Sequence, residues 1–350
     1  MPDIERFDFR HAVNLAMIPD TARPPSGAMH LLITGANGFI GRALARRLLS
    51  APAPLPGRSE PMGRLTLIDL GFEGPEVPRV RRLAGSIADS SVRARAFDTP
   101  VDVVFHLASI PGGMAEQNYE LGRQVNIDAT LCLLEAARTQ ALFASRVPIF
   151  VFASSIAVLG APLPALVDDA TPLRPSLSYG AHKLIGEILL EDFNRRSWIR
   201  GRALRLPGIV ARPAQRTGQM SAFMSDLIRE LAAGRSYSCP VAADSTTWLM
   251  SVPCVVRNLL HAATLSESAC AHRQVWTLPA LHTSLRGLVD AVAEAFDNDA
   301  PERVSFASDA ALEANFGHYP PLRTPAAEAA GFVHDGDLVT LARQALEPAL

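Results

Sequence analysis

The sequence predicts an α/β fold with a parallel sheet at its centre, and three observations support that prediction. First, strand-like and helix-like stretches alternate through the first two-thirds of the 350 residues, an order typical of parallel sheets covered by helices. Second, the apolar run Leu31–Thr34 ends in Gly35, Gly38 and Gly41, and a helical pattern follows. Third, Asp69 closes the next strand-like run. Together they predict a Rossmann-type doubly wound parallel sheet with a smaller C-terminal α/β portion.

Short apolar runs and helical periodicity locate the individual elements. After the first strand, further strands are predicted at 64–69, 80–83, 101–108, 147–153 and 202–206. Helices are predicted at 117–140 and 178–196, and the less regular region beyond 207 contains a strand at 274–278 and a helix at 284–296. The predicted division is an N-terminal extension, 1–28, a dinucleotide-binding domain, 29–207 and 248–265, and a substrate-binding portion, 208–247 and 266–350.

Composition argues against several classes of protein. The net charge is −2 and no long basic run is present, so nucleic acid is not expected as a partner. No apolar stretch reaches the roughly 20 residues that span a bilayer, so no membrane association is expected. The four cysteines lie far apart and form no CxxC pair, which predicts a cytoplasmic protein without disulfides or a metal site. Residues 1–28 lack the apolar core of a signal peptide. Two interpretations of this segment stay open: it is a true N-terminal extension, or translation starts at Met29 and the sequence as given starts too early.

The glycine-rich turn has the context that a dinucleotide-binding fingerprint requires, namely strand, tight turn and helix. Gly35 permits the sharp turn, Gly38 lets the backbone approach a pyrophosphate at the helix N-terminus, and Gly41 allows the helix to pack against the strand. The residues predicted to contact the pyrophosphate are Gly35, Asn37, Gly38, Phe39, Ile40 and Gly41.

Asp69 is predicted to select the cofactor. An acid at the end of the second strand accepts hydrogen bonds from the adenosine ribose hydroxyls and repels a 2′-phosphate, which favours NAD over NADP. Its spacing from Gly41 is long because the proline-rich stretch 51–57 is inserted between them. The alternative is an ordinary aspartate in a turn.

Tyr179 and Lys183 form a Tyr-x-x-x-Lys pair in the predicted helix 178–196, and a separation of four places both side chains on one face. A phenol has a reference pKa of about 10, and a neighbouring ammonium lowers it by favouring the phenolate. Tyr179 is therefore predicted to remove the proton of a substrate alcohol as hydride leaves for the cofactor, while Lys183 also holds the nicotinamide ribose. The pair alone is common and usually marks two surface residues; its position after the fifth strand favours catalysis.

Ser155 closes the fifth strand, and side chains at the carboxyl ends of parallel strands face the ligand crevice. Its hydroxyl is predicted to bind the reacting oxygen beside Tyr179; the alternative is that Ser154 or Ser155 caps a turn. Ser109, after the fourth strand, is predicted to line the same crevice and contact the substrate.

Other polar and aromatic residues have two interpretations each. Arg212 is either a ligand for a substrate carboxylate, which a guanidinium matches bidentately, or a surface arginine. Trp248 is either part of a substrate lid or core. Asn126 either orients a water or backbone group near Lys183 or is an ordinary helical residue. His106 is interpreted as a core histidine rather than a catalytic acid.

The set of motifs resembles one known family. Thr34-Gly-x-x-Gly38-x-x-Gly41, Asp69, His106-Leu-Ala-Ser109, Asn126, Ser155 and Tyr179-x-x-x-Lys183 follow the order found in extended short-chain dehydrogenase/reductases, which include nucleotide-sugar epimerases and dehydratases. The resemblance covers residues 29–265. It implies an NAD(P)-binding fold, a Ser155-Tyr179-Lys183 catalytic group, and a homodimer packed through the helices 117–140 and 178–196. It also implies cofactor contacts at Leu107, Ala108, Asn126, Tyr179, Lys183 and Pro207.

Departures from the family pattern narrow the expected activity. Ile156 and Ala157 stand where the related dehydratases carry acidic residues, so elimination of water is not expected. Gly208 stands where many nucleotide-sugar enzymes carry an asparagine, which argues against a nucleotide-sugar substrate. Stretches around Ser154–Val158, Arg205–Pro207 and Trp248 resemble the D-erythronate dehydrogenase subgroup, whose substrate is a four-carbon sugar acid.

Three functions are therefore weighed. The favoured one is an NAD-dependent oxidoreductase that acts on a small sugar acid and uses a tyrosine as general base. The second is a nucleotide-sugar epimerase with tightly bound NAD. The third is a non-catalytic NAD-sensing regulator, against which the intact Ser155, Tyr179 and Lys183 argue, since a sensor needs none of their chemistry.

Overall fold

The computed structural model describes residues 27–50, 54–213 and 220–347, so the extension predicted over 1–28 lies almost entirely outside the described residues. A seven-stranded sheet forms the centre, in the order β3-β2-β1-β4-β5-β6-β10. All its pairings are parallel, which confirms the predicted Rossmann-type fold. The strands are β1 (Met29–Thr34), β2 (Met62–Asp69), β3 (Val80–Ala84), β4 (Val103–His106), β5 (Ile149–Ser155), β6 (Arg200–Leu206) and β10 (Val275–Thr277).

Helices cover both faces of this sheet because both faces of its strands are apolar; all six residues of β1 are buried. One face packs against α1 (Phe39–Ser50) and α8 (Val252–Ala262). The other packs against α2 (Ser90–Ala96), α5 (Ala129–Phe143) and α6 (Ser178–Arg195). The strand order reverses between β1 and β4, so a crevice opens at the carboxyl ends of these strands.

The helix predicted over 117–140 is wrong at its start. The chain forms α3 (Gly112–Gln117), breaks at Asn118, and resumes as α4 (Tyr119–Arg123), a π-helical segment (Gln124–Asp128) and α5. The break has a local cause: Asn118 has non-helical φ −136° and ψ 82°, and its Oδ1 accepts a hydrogen bond from the Leu121 N–H at 3.1 Å. A polar cap thus interrupts a pattern that hydrophobic periodicity alone reads as continuous.

The smaller portion is built around its own core. Strands β7 (Gly208–Val210), β9 (Thr246–Ser251) and β11 (Leu281–Ser284) form a three-stranded sheet, and β8 (Tyr237–Cys239) pairs with β12 (Val304–Phe306). Helices α7 (Phe223–Ala232), α10 (Leu285–Phe296) and α14 (Leu338–Leu346) bury a continuous apolar cluster against these strands. The remaining helices are Ile156–Leu159 and Met220–Ala222, both 3-10, and α9 (Glu267–Cys270), α11 (Ala300–Arg303), α12 (Ala310–Phe316) and α13 (Pro325–Ala329).

Two predicted domain boundaries need correction. The strand predicted at 274–278 was assigned to the substrate-binding portion, but β10 pairs with β6 and extends the large sheet. The boundary at 248 falls inside β9, which belongs to the small sheet. Both errors arise because a short strand does not reveal which sheet its partner belongs to. No helix among the described residues has the length and apolar character needed to span a membrane.

Candidate active site

The glycine-rich turn after β1 has no room for a side chain at Gly35 or at Gly41. Gly35 has a positive φ of 68°, and a Cβ there would lie 2.7 Å from the Ala108 nitrogen. A Cβ at Gly41 would overlap the Gly35 carbonyl oxygen. Helix α1 begins at Phe39 directly after this turn, so the amides of its first turn point toward the crevice, where an anion can bind them. The turn therefore fits a dinucleotide pyrophosphate.

Asp69 lies beside this turn, as the predicted ribose contact requires. Its Oδ2 accepts a hydrogen bond from the Asn37 N–H at 2.8 Å, and its Oδ1 accepts one from the Leu70 N–H at 2.7 Å. Asn37 in turn accepts a hydrogen bond from Arg42 Nε at 2.7 Å. The carboxylate thus joins the end of β2 to the glycine turn.

The structure brings Tyr179 together with two serines. Tyr179 lies in the first turn of α6, and its hydroxyl forms hydrogen bonds with Ser109 and Ser155. Ser155 is the last residue of β5, and its Oγ also accepts a hydrogen bond from the Ala157 N–H at 3.2 Å. Ser155 therefore contacts Tyr179 and caps the following turn at once. Ser154 lies on the other side of the strand and donates to Glu187.

Lys183 follows one helical turn after Tyr179 and is almost fully buried. Its Nζ donates a hydrogen bond to the Ala153 carbonyl at 2.8 Å and lies 4.9 Å and 5.6 Å from the ring centroids of Phe152 and Tyr179. Burial lowers the pKa of Lys183 to about 7, and the nearby Glu187 carboxylate opposes that shift. The lysine thus stands beside the tyrosine, as predicted from the spacing.

The pKa of Tyr179 is shifted in the direction opposite to the one predicted from the neighbouring lysine. Burial raises the pKa of Tyr179 above its usual value, while its hydrogen bond to Ser109, the charge of Arg212 and its hydrogen bond to Ser155 lower it. Burial prevails because a phenolate loses its hydration in the crevice. The groups that stabilise the phenolate are therefore Ser109, Arg212 and Ser155.

Arg212 follows β7 and is directed toward the crevice. Its Cζ lies 5.8 Å from the centroid of the Phe39 ring at the start of α1, and its Nε donates to the Ile209 carbonyl at 3.4 Å. Arg229 donates to the Arg212 carbonyl, which fixes the backbone at this point. Burial lowers the pKa of Arg212, and Tyr179 opposes that shift. The alternative of a plain surface arginine does not describe this position.

Asn126 holds the loop that carries Ser109. Its Oδ1 accepts a hydrogen bond from the Ile110 N–H at 2.7 Å, and its Nδ2 donates to the Ile110 carbonyl at 3.0 Å. Asn126 therefore orients the backbone of Ile110. Leu107 and Ala108 lie between this loop and β4, and the Ala108 N–H donates to Thr34 Oγ1 at 3.2 Å, beside the glycine turn.

His106 lies in the core, as interpreted from the sequence. Its ring nitrogens lie 2.7 Å from Thr34 Oγ1 and 2.8 Å from Thr130 Oγ1, and burial lowers its pKa to about 3. Trp248 is 1% exposed, donates from Nε1 to the Pro320 carbonyl at 2.7 Å, and packs edge-on against Tyr319. Its position matches the core-packing alternative. Pro207 lies between β6 and β7.

Sequence reasoning missed one buried group next to the crevice. Glu187, on α6, accepts two hydrogen bonds from Arg205, with Nε at 2.9 Å and Nη2 at 2.8 Å, and a third from Ser154. The available signal was a glutamate four residues after Lys183, on the same helical face.

Comparisons with known proteins agree with this geometry. The model of the NAD dependent epimerase/dehydratase family matches residues 31–252. D-erythronate dehydrogenase from Cupriavidus necator is 38% identical over 92% of this chain and 99% of its own length. D-erythronate dehydrogenase from Haemophilus influenzae is 29% identical over 91% of this chain and 99% of its own. The crystal structure of a nucleoside-diphosphate-sugar epimerase from Agrobacterium tumefaciens superposes with a TM-score of 0.84 at 30% identity, covering 90% of this chain and 92% of that one.

Proposed function

Because the chain belongs to the NAD dependent epimerase/dehydratase family, we propose that it oxidises a hydroxyl of a small sugar acid such as D-erythronate. It is an NAD-dependent dehydrogenase of the extended short-chain dehydrogenase/reductase type. The observation that carries the choice of substrate is the arrangement of one phenol, two serines and one guanidinium: Tyr179 contacts Ser109 and Ser155, and Arg212 adds a positive charge beside it. The two relatives named D-erythronate dehydrogenase support it.

The cofactor would be held by residues at the carboxyl ends of the strands. The turn from Gly35 to Gly41 and the start of α1 would bind the pyrophosphate, and Asp69 the adenosine ribose. Lys183 would bind the nicotinamide ribose, with Leu107, Ala108 and Pro207 as walls of the site and Asn126 as the support of one wall. When bound, NAD supplies the acceptor for the hydride.

The protein residues would handle the proton. Ser155 and Ser109 would hold the reacting hydroxyl, and Tyr179 Oη, as phenolate, would take its proton while the C–H electron pair leaves as hydride. Removal of a proton by a positioned base is typically worth about 10²–10⁴-fold in rate. Arg212 would bind the substrate carboxylate, and its charge would also favour the phenolate form of Tyr179.

The nucleotide-sugar epimerase remains the second candidate because the structure of a nucleoside-diphosphate-sugar epimerase superposes well. One feature of this chain opposes it. A Cβ at Gly208 would lie 2.9 Å from the Trp248 carbonyl oxygen and 3.2 Å from Leu249. The position therefore has no room for the asparagine that nucleotide-sugar enzymes carry, and the site lacks that anchor for a large substrate.

The deciding experiment measures NADH formation with NAD and a panel of four- to six-carbon aldonates, with the matching alditols as controls that lack the carboxylate. We expect NADH in proportion to aldonate consumed and little with the alditols. Nucleotide sugars are tested in parallel by chromatography. Conversion of a nucleotide sugar to its epimer without net NADH would contradict the proposal and favour the epimerase.

We also propose a homodimer formed by α4, α5 and α6. These helices expose the apolar side chains of Tyr119, Leu131, Ile185 and Ile188, which a second copy would cover. Light scattering should give twice the chain mass, and Ile188→Asp should give a monomer, whereas the control Val333→Asp, on the C-terminal segment, should stay dimeric. A wild-type monomer at micromolar concentration would contradict this.

The free thiols of all four cysteines support a reducing, cytoplasmic location.

A further inference from the structure

A buried carboxylate lies one helical turn beyond Lys183, on the side away from Tyr179. Glu187 is 2% exposed and follows Lys183 by four residues on α6. Three donors hold its oxygens: Arg205 through two nitrogens from β6, and Ser154 from β5. The carboxylate is thus fixed between the catalytic helix and two strands of the sheet.

Such a group needs a reason beyond stability. Burying an ion pair costs desolvation that its mutual attraction offsets only in part, and apolar residues of similar volume often serve a fold as well. Lys183 shows what the pair adds. Its Nζ donates to the uncharged Ala153 carbonyl and lies over the Phe152 ring, so these contacts give the ammonium no counter-charge.

We propose that Glu187 is a positioning residue of the reaction: its carboxylate, fixed by Arg205 and Ser154, keeps the Lys183 side chain protonated in the crevice. This inference rests on the role proposed above for Lys183 as a ligand of the nicotinamide ribose, because the ammonium form has three N–H donors, enough for Ala153 and for two ribose hydroxyls.

The charges around Lys183 agree with this assignment. Burial lowers the pKa of Lys183 to about 7, and Glu187 is the charged group that raises it. Burial keeps His106 neutral, since its pKa is lowered to about 3. The titratable and charged groups that surround Lys183, directly or through these neighbours, are Tyr179, His182 and Glu187 on α6, His106 on β4, Arg205 on β6, Arg212 after β7 and Glu116 on α3.

The direction of the effect follows from the sign of the charge. The useful form of Lys183 carries a proton and is lost as pH rises through its pKa. Removing the Glu187 charge lowers that pKa further, so the ammonium is lost at a lower pH. A nearby opposite charge typically shifts a pKa by about 1–3 units.

The chain offers an unusually direct test, because Lys183 is its only lysine. Full-length protein labelled with ¹³C at lysine Cε gives one side-chain resonance, whose pH titration reports Lys183 without substrate or NAD. We expect Glu187→Gln to lower the midpoint by at least about one pH unit. Glu187→Asp, which keeps the charge, should keep the midpoint close to the wild-type value. The control Glu191→Gln, one turn further along α6 and exposed, should leave it in place.

The outcomes separate the possibilities. A Glu187→Gln variant that folds, melts at a lower temperature and keeps the wild-type midpoint would overturn the inference and leave Glu187 a purely structural residue. If Glu187→Gln fails to fold, Glu187→Met decides, because it also removes the charge, and an unchanged midpoint in that variant would likewise overturn the inference. A lowered midpoint together with failure of every aldonate as substrate would support the pairing and reject the proposed substrate.

Discussion

The two parts of the chain deliver their side chains to the crevice in different ways. The large sheet presents Gly35 and Ser155 at the ends of buried strands, and Tyr179 on a helix packed against that sheet. The smaller portion presents Arg212 from a loop after the three-residue strand β7, and holds it there by contacts with Ile209 and Arg229. We infer that the sheet determines the cofactor and the proton chemistry, whereas the smaller portion determines which acid binds. Substitutions in the two parts should therefore change different kinetic constants.

The largest effect is expected from Tyr179→Phe, which removes the proton acceptor and leaves the aromatic ring. Turnover should fall by at least about 10²-fold, with NAD affinity unchanged, as measured by steady-state kinetics and calorimetry. Tyr237→Phe in the smaller portion is the matched control, because its hydroxyl donates to the Phe223 carbonyl. A folded Tyr179→Phe enzyme with near-normal turnover would exclude this mechanism.

Arg212→Ala should weaken substrate binding more than it slows the chemistry, on which it acts only through the pKa of Tyr179. A hydrogen-bonded charged contact is worth about 1.5–3 kcal/mol, so KM for the aldonate should rise by roughly 10- to 10²-fold. Turnover should change less, because the carboxylate is bound alike in the ground and transition states. Arg286→Ala, over the Phe306 ring, is the control. A loss confined to turnover would remove Arg212 from carboxylate binding.

Acid should destabilise the protein through histidines buried in the large sheet. Burial lowers the pKa of His106 to about 3 and that of His30 to about 4, against about 6.5 in an unfolded chain. The unfolded chain therefore binds more protons as pH falls below 6.5, and each histidine should cost about 1.4 kcal/mol of unfolding free energy per pH unit. Urea titrations between pH 6.5 and 4.5 measure this slope.

His106→Gln should reduce the slope of unfolding free energy against pH by about 1.4 kcal/mol per pH unit, the contribution of one histidine. The control His272→Gln, which alters an exposed side chain in the loop before β10, should keep the wild-type slope. Equal slopes in all three proteins would show that acid unfolding has another origin.

Asp69→Ala should reduce the preference for NAD over NADP by about tenfold, since ribose hydrogen bonds and phosphate repulsion are both lost. The ratio of kcat/KM for the two cofactors measures it. Because Asp69 also accepts the Asn37 N–H, Asp69→Asn serves as a control that keeps an acceptor without the charge. An unchanged ratio in both variants would place the ribose elsewhere.

The smallest kinetic effect is expected from Trp248→Phe. The change removes the hydrogen bond to the Pro320 carbonyl and part of a core contact, so stability should fall by about 1–2 kcal/mol. KM and turnover should stay within about twofold of wild type. A large rise in KM would favour the substrate-lid interpretation of this tryptophan over the core-packing one.

Local patterns in the sequence predicted most of the fold, and contacts between distant elements account for what they missed. Ser155 ends β5 and Tyr179 lies in the first turn of α6, as their neighbours imply, because apolar runs and helical spacing are local properties. The three residues of β10 carry no mark of their partner β6, and the break at Asn118 depends on one capping bond. The Glu187–Arg205 pair joins a helix to a strand, and the pKa of Tyr179 depends on burial, so neither could be predicted from spacing.

The two hydrogen bonds between Asn126 and Ile110 have a consequence for how fast the crevice can rearrange. Both backbone polar groups of Ile110 are paired with one amide, as they would be with a neighbouring strand. The segment that carries Ser109 is thereby fixed by a pair of hydrogen bonds equivalent to those between neighbouring strands. Its amide hydrogens should exchange with solvent on the slow timescale of β4 and not at the rate of a surface loop. The hydroxyl beside Tyr179 would then already be in place when a substrate arrives.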